Sequence, residues 1–262
     1  MKGCPEITVH WYVLCYNEMD KLPLVVKYWE NVADKVIVYD NESTDGSVEY
    51  LKQFPFVDVR TFKSENTMRE DIHMELRNNI WKESRGKADF VIFGDLDEVV
   101  WSDDFVGILK KAKERGITLL EFPFVSVISD KEVSTDRFVH EQDVSFFRDK
   151  AMGQGKVNLF SPDDIKEIQY APGAHKCSPT GNVKRERIAD GSICTFHLDP
   201  LELTIYTKKM VKTFKRLSQV NKRNRWGTHY TDNIDVIQNR FKDIIGKSCK
   251  NYKDIIRSWY NK

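Results

Sequence analysis

Three carboxylates, Asp95, Asp97 and Glu98, fall within four positions of this chain, directly after the run Phe90-Val91-Ile92-Phe93-Gly94. Four apolar residues in a row read as a strand buried on both faces, the kind found in a parallel sheet. Gly94 ends the run, so the acids stand where a core strand emerges. In open α/β sheets ligands bind at that carboxyl end. Burying an unpaired carboxylate costs on the order of several kcal/mol, so a counter-charge is required. A hard divalent cation meets the requirement, because Mg²⁺ takes one or two carboxylates plus phosphate oxygens and keeps its remaining waters. A solvated acidic turn is the plain alternative for the same tripeptide.

The elements that must position these acids follow from periodicity. Residues 7–15 read as a first strand ending at Tyr16-Asn17-Glu18, and Pro23 suits the first turn of a helix carrying Leu24, Val25, Tyr28, Trp29 and Val32 at helical spacing. Residues 35–39 make a second strand with Asp40 at its carboxyl end, and Asn41 to Ser47 is turn chemistry with Thr44 or Asp45 as a helix cap. Residues 56–62 form a third strand. A long helix is expected over 66–85, with Met68, Ile72, Leu76 and Ile80 as its core stripe and Trp81 beside it. The acid-bearing strand comes next, then a helix over 103–115 stopped by Gly116 and a strand over 117–128 bent at Pro123. Strand and helix alternate, which predicts an α/β fold with a mostly parallel sheet flanked by helices. Short strands are expected over 143–148, 156–160 and 193–198, and helices over 201–220, 233–245 and 252–260.

Three stretches, in this order, resemble the glycosyltransferase family 2 group of the GT-A (Rossmann-like) fold. Tyr16-Asn17-Glu18 resembles the pair after that group's first strand. Val36 to Ser47, VIVYDNESTDGS, resembles its second strand and turn. Asp95-Leu96-Asp97 resembles its D-x-D motif. The similarity is good over about 7–125. It implies a transferase that moves a sugar from a nucleoside diphosphate donor, UDP-linked above all, to a glycan or lipid-linked acceptor in bacterial surface polysaccharide synthesis, with Mn²⁺ or Mg²⁺ as cofactor. By resemblance Asp97 contacts the metal and Asp95 meets the donor or the metal, with Glu98 behind them. Asp40 and Asn41 read the nucleotide, Asn17 and Glu18 bind it, and Arg77, in an Arg-Asn pair, forks onto a phosphate. His197 is the leading candidate for a further metal ligand, with His175 and His229 as rivals. An inverting transfer also needs a base for the acceptor hydroxyl. Glu121, Glu141 and Asp143 are the carboxylates in the expected region, though none sits in the family's Glu-Asp pair. A sugar nucleotidyltransferase is a second reading, disfavoured because the loop at 16–18 lacks glycine. A non-catalytic nucleotide-sugar-binding module is a third.

The chain has 262 residues with 41 Lys and Arg against 40 Asp and Glu, a net charge of +1. The balance is uneven. Residues 200–262 carry 15 basic and 5 acidic residues, and 208–225 hold eight basic residues and no acid. With Met210, Val211, Phe214 and Leu217 as an apolar face, that segment suits peripheral contact with an anionic membrane leaflet. No nucleic-acid-binding signature accompanies it, and nucleic acid is not expected as a partner. Five scattered cysteines form neither zinc spacing nor a disulfide framework, and no leader or membrane-spanning run is visible, so a cytoplasmic location is expected. The expected organisation is a catalytic domain over 1–200, with a donor half over 1–128 and an acceptor half over 129–200, followed by a basic helical extension over 201–262.

Overall fold

The structure, a computed structural model, describes residues 7–148 and 159–260. Chain order begins β1 (Val9–Cys15), α1 (Leu22–Val32), β2 (Lys35–Asp40), α2 (Ser47–Leu51), β3 (Val57–Thr61) and α3 (Glu70–Asn79). It continues through β4 (Phe90–Asp95), β5 (Glu98–Ser102), α4 (Phe105–Glu114), β6 (Leu119–Glu121), β7 (Phe124–Ile128), β8 (Ser145–Phe147), β9 (Leu159–Phe160), β10 (Ile165–Glu167), β11 (Thr180–Gly181), β12 (Arg185–Arg187) and β13 (Ile193–His197). Four helices close the described chain: α5 (Leu203–Arg216), α6 (Gln219–Asn224), α7 (Ile234–Lys247) and α8 (Tyr252–Tyr260).

Seven strands form the main sheet in the order β12-β6-β9-β4-β1-β2-β3. All of its neighbouring pairs are parallel except those of β9, which runs antiparallel to both β4 and β6. A second sheet has the order β5-β13-β7-β8, and β10 and β11 make a hairpin. The fold is therefore α/β, with a largely parallel sheet, flanking helices and a helical C-terminal segment. Strand β4 shows why its sequence is apolar throughout. Phe90 and Ile92 join the core that also holds Trp11, Trp29 and α1, while Val91 and Phe93 join a second core with Tyr12, Trp81 and Phe160. Side chains alternate across a strand, so a strand covered on both faces must be apolar at every position.

Three elements differ from the sequence expectation, each for a local reason. The strand read over 117–128 is two strands in two sheets, broken at Phe122-Pro123. Pro123 has no N–H to give a ladder, and its carbonyl accepts from Thr195 N at 2.8 Å. The helix read over 66–85 is the shorter α3 followed by a 3-10 turn over Ile80–Ser84. Its stripe of Met68, Ile72, Leu76 and Ile80 is only half-buried, whereas Glu70 and Arg77, two turns apart, are buried at 4% and 5% exposure. An ion pair of 2.6 Å between them makes that burial tolerable. The helix read over 201–220 is α5 and α6, parted at Leu217-Ser218, where Ser218 Oγ accepts from Asn221 N as the cap of α6.

Most of the strand expected over 156–160 lies outside the described residues. The expected boundary at 128 falls between β7 and β8, and chain from beyond it supplies β9 and β12 to the main sheet and β8 and β13 to the second. Among the described residues no helix is long and apolar enough to cross a membrane.

Candidate functional site

Strand order reverses at β1: the chain proceeds through β2 and β3 on one side and returns through β4 on the other. A crevice opens at such a switch point, outside the carboxyl ends of the strands. Here Leu14, Cys15 and Tyr16 after β1, Asn41 after β2, and Asp95, Leu96 and Asp97 after β4 line a cleft of about 150 Å³. Arg77 and His73 enter from α3. The basic helix α5 crosses the open side, adding Lys209, Lys212, Thr213 and Arg216.

Asp97 is the most enclosed acid of the cleft, at 3% exposure. It occupies the corner where β4 leaves the main sheet and β5 begins the second. Its Oδ2 accepts from Lys21 Nζ at 2.6 Å and from Lys209 Nζ at 2.8 Å. Burial alone would raise its pKa, but Lys209, Lys21 and His197 outweigh that and hold the carboxyl well below the usual range. Burial likewise pushes Lys209 down, and Asp199 and Asp97 more than reverse it, so the ammonium stays charged. Lys209 Nζ also reaches Asp199 Oδ2 at 2.6 Å. The counter-charge demanded by the acids is thus present within the chain.

A metal-compatible group exists beside these pairs. Ligand atoms of Asp97, His197 and Asp199 all lie within 4.8 Å of one another. His197 Nε2 is 3.8 Å from Asp97 Oδ1, and its Nδ1 is buried with no hydrogen-bond partner. Two carboxylates and an imidazole are a suitable donor set for Mn²⁺ or Mg²⁺. Asp95, expected to meet the donor or the metal, is 2.9 Å from Arg77 and stands outside that group. Glu98 Oε2 accepts from Asp95 N, which fixes the corner from behind. His175 and His229 are exposed and lie outside the group.

The other expected residues separate into two sets. Glu18, Asn41 and Arg77 line the cleft. Glu18 pairs with Lys21 and Lys212 at 3.0 Å each. Asn17 and Asp40 do not line it; their side chains hold the turn after β2. Asn17, at φ 50°, accepts from Thr44 N through Oδ1 at 2.7 Å. Asp40, 2% exposed, accepts from Ser43 N at 2.9 Å, and its second oxygen is buried without a partner. None of Glu121, Glu141 and Asp143 lines the cleft. Glu121 pairs with Arg185 at 2.7 Å on the far edge of the main sheet, Glu141 is exposed, and Asp143 pairs with Lys131 and Lys250 at 2.6 and 2.7 Å. Those two lysines hold the Asp143 carboxyl down at about 2, in the state of a spectator anion.

Sequence reasoning did not find Lys21, Asp199, Lys209, Lys212 or Arg216. A signal for the last three was present: 209, 212, 213 and 216 share one face of a helix, adjoining the buried Tyr206 and Met210. Lys212 Nζ donates to the carbonyls of Tyr16 and Asn17 at 3.0 and 2.5 Å. The Arg216 guanidinium lies on the Tyr16 ring, 3.1 Å from its centroid, and donates to Asn41 Oδ1 at 2.7 Å. Of the eight basic residues of 208–225, three therefore face the cleft and a fourth, Lys208, pairs with Asp20. Lys215, Lys222, Arg223 and Arg225 are exposed.

No protein-family model matches this chain. No curated protein sequence matches it either. Among solved structures it is similar to S. aureus TarS 1–349, at 10% identity and a TM-score of 0.48 over 80% of this chain. It is similar to the same protein in complex with UDP at 11% identity and a TM-score of 0.47, and in complex with UDP-GlcNAc at 10% and 0.44. The chain spans 65% of the length of that first TarS structure.

Proposed function

We propose that this chain is a GT-A-type glycosyltransferase that takes a sugar from a nucleoside diphosphate donor with the help of a divalent cation. One observation carries the reading: the switch-point cleft is lined at one end by Asp97, a member of the metal-compatible Asp97-His197-Asp199 group, and at the other by the aromatic and apolar Tyr16, Phe62, Met68 and His73. A nucleotide sugar has that same polarity, charged at the diphosphate and flat at the base. When bound, Mn²⁺ or Mg²⁺ supplies Lewis-acid stabilisation of the departing diphosphate. The chain's own residues do the rest. Arg77, whose two terminal nitrogens hold Glu70 and Asp95, places a fixed positive charge beside the phosphate position. Lys209 and Lys212 are placed to exchange their carboxylate partners for phosphate oxygens, and their side chains partly fill the cleft that the donor enters.

The acceptor side belongs to residues after 129 in this reading. A cavity of about 800 Å³ lined by Ser129, Lys131, Glu132, Glu202, Leu203 and Phe241 among others supports it. The exposed Lys215, Lys222, Arg223 and Arg225 beside Phe214 support contact with an anionic leaflet and hence a lipid-linked acceptor. The deciding experiment pairs calorimetry of UDP, with and without Mn²⁺, with sugar release from a panel of nucleotide sugars. Metal-dependent binding and release of one sugar are expected. Binding without release from any donor would make the chain a binding module, and no binding of any nucleoside diphosphate would end the proposal.

A further inference from the structure

The cleft-facing stripe of α5 runs from Lys209 to Arg216, a rise of about 10 Å at 1.5 Å per residue. Its two ends meet different chemistry. Lys209 sits on Asp97 and Asp199, at the end of β4. Arg216 sits over the ends of β1 and β2, on the Tyr16 ring and Asn41 Oδ1. The cleft wall at this second end is apolar or aromatic: Leu14, Tyr16, Phe62 and Met68. His73 is there too, but burial and then Arg77 push its pKa down to about 3, so it is neutral.

Arg216 is the exception among the cleft's cations. Arg77, Lys209 and Lys212 each have a carboxylate within 3.0 Å. Arg216 has no ion pair among the described residues, and its hydrogen-bond acceptors are the Asn41 amide oxygen and the Asn66 carbonyl. A half-buried guanidinium is costly to leave under-used, and it carries five donors and no acceptor. Asp40, the acid expected to read the base or ribose of the nucleotide, is folded into its own turn and does not line the cleft.

On the reading given above, we propose that Arg216 is the residue that selects the nucleobase, donating to a carbonyl oxygen on the base edge while Tyr16 holds the guanidinium flat. A pair of donors complements uracil O4 or guanine O6 and N7, whereas adenine places the N6 amino donor where those bases have a carbonyl oxygen. The chain therefore takes a uridine or guanosine diphosphate sugar and rejects the adenosine analogue. A planar fork, not the charge alone, makes this selection, so lysine does not replace it.

Calorimetry of UDP, GDP and ADP against the unaltered chain, Arg216→Ala and Arg216→Lys, with melting curves to verify folding, tests this. The unaltered chain should bind UDP or GDP about tenfold or more tighter than ADP. Both variants should lose that preference, to within about threefold, through weaker binding of the favoured nucleotide. An undiminished preference in folded Arg216→Ala overturns the inference and leaves the transferase reading standing. Equal binding of UDP, GDP and ADP by the unaltered chain overturns it whether or not the variants fold. Failure of all three nucleotides to bind the unaltered chain overturns the transferase reading and this inference together.

Discussion

Asp97 shows how one residue can be legible in kind and hidden in circumstance. Its place after a doubly buried strand was readable from the sequence, and so was its need for positive charge. The source was not, because Lys21 precedes it by 76 positions and Lys209 follows by 112. Two ammonium groups share this carboxylate with second partners, Lys21 with Glu18 at 3.0 Å and Lys209 with Asp199 at 2.6 Å. Removing one partner of a buried pair leaves an uncompensated charge, at a cost of about 3–5 kcal/mol. Glu18 and Asp199 remain as partners here, so Asp97→Asn is expected to lower unfolding free energy by less, about 1–3 kcal/mol in urea titration. Asp95→Asn should cost much less, since that side chain is 38% exposed. His197 separates metal binding from stability, because its Nδ1 has no partner to lose. His197→Gln is expected to weaken Mn²⁺ binding about tenfold by calorimetry while the metal-free melting point moves little.

Elements were readable where one period held without interruption. β1, β2, β4, α1, α4, α7 and α8 lie close to their expected places because alternation, continuous burial or a 3.6-residue stripe marks each. Short strands made by tertiary pairing were not. β5 follows the acids with only Leu96 and Asp97 between it and β4, and it is a strand because β13 pairs along all five of its residues. Residues 180–181 are a clearer case of context setting conformation. Gly181, at φ +111°, lies in the β10–β11 hairpin, and a Cβ there would meet Asp164 O at 2.4 Å and Lys166 N at 2.6 Å. Gly181→Ala should destabilise by about 2 kcal/mol or more, because both contacts are backbone and the torsion itself is strained. Gly246, in the last turns of α7 with open space around it, is the opposite case. Gly246→Ala should stabilise by roughly 0.5–1 kcal/mol, and the two thermal melts should move in opposite directions.

At the scale of the whole molecule, pH acts through two histidines kept neutral. Burial lowers His73 to about 3 and His140 to about 4, the latter hydrogen-bonded to Tyr28 and packed on Trp101 and Phe196. Between those values and 6.5 the unfolded chain binds protons that the folded chain refuses. Stability therefore rises with pH across that window and falls on acidification, by up to about 1.4 kcal/mol per pH unit for each histidine. His140→Phe should flatten the slope of denaturation midpoint against pH between about 4 and 6.5. The insertion of β9 and β13 between earlier strands has a further consequence, for biosynthesis. A ribosome releases β5 and β7 well before β13, the strand that lies between them. At 5–20 residues per second the 91 positions from Ser102 to Ile193 take roughly 5–20 s to emerge. Through that interval the nascent chain carries unzipped strand edges beside fully apolar segments, open to pairing with another polysome's product. Cellular yield of this chain is therefore expected to fall when holdase capacity is reduced, read as the share of newly made chain that aggregates.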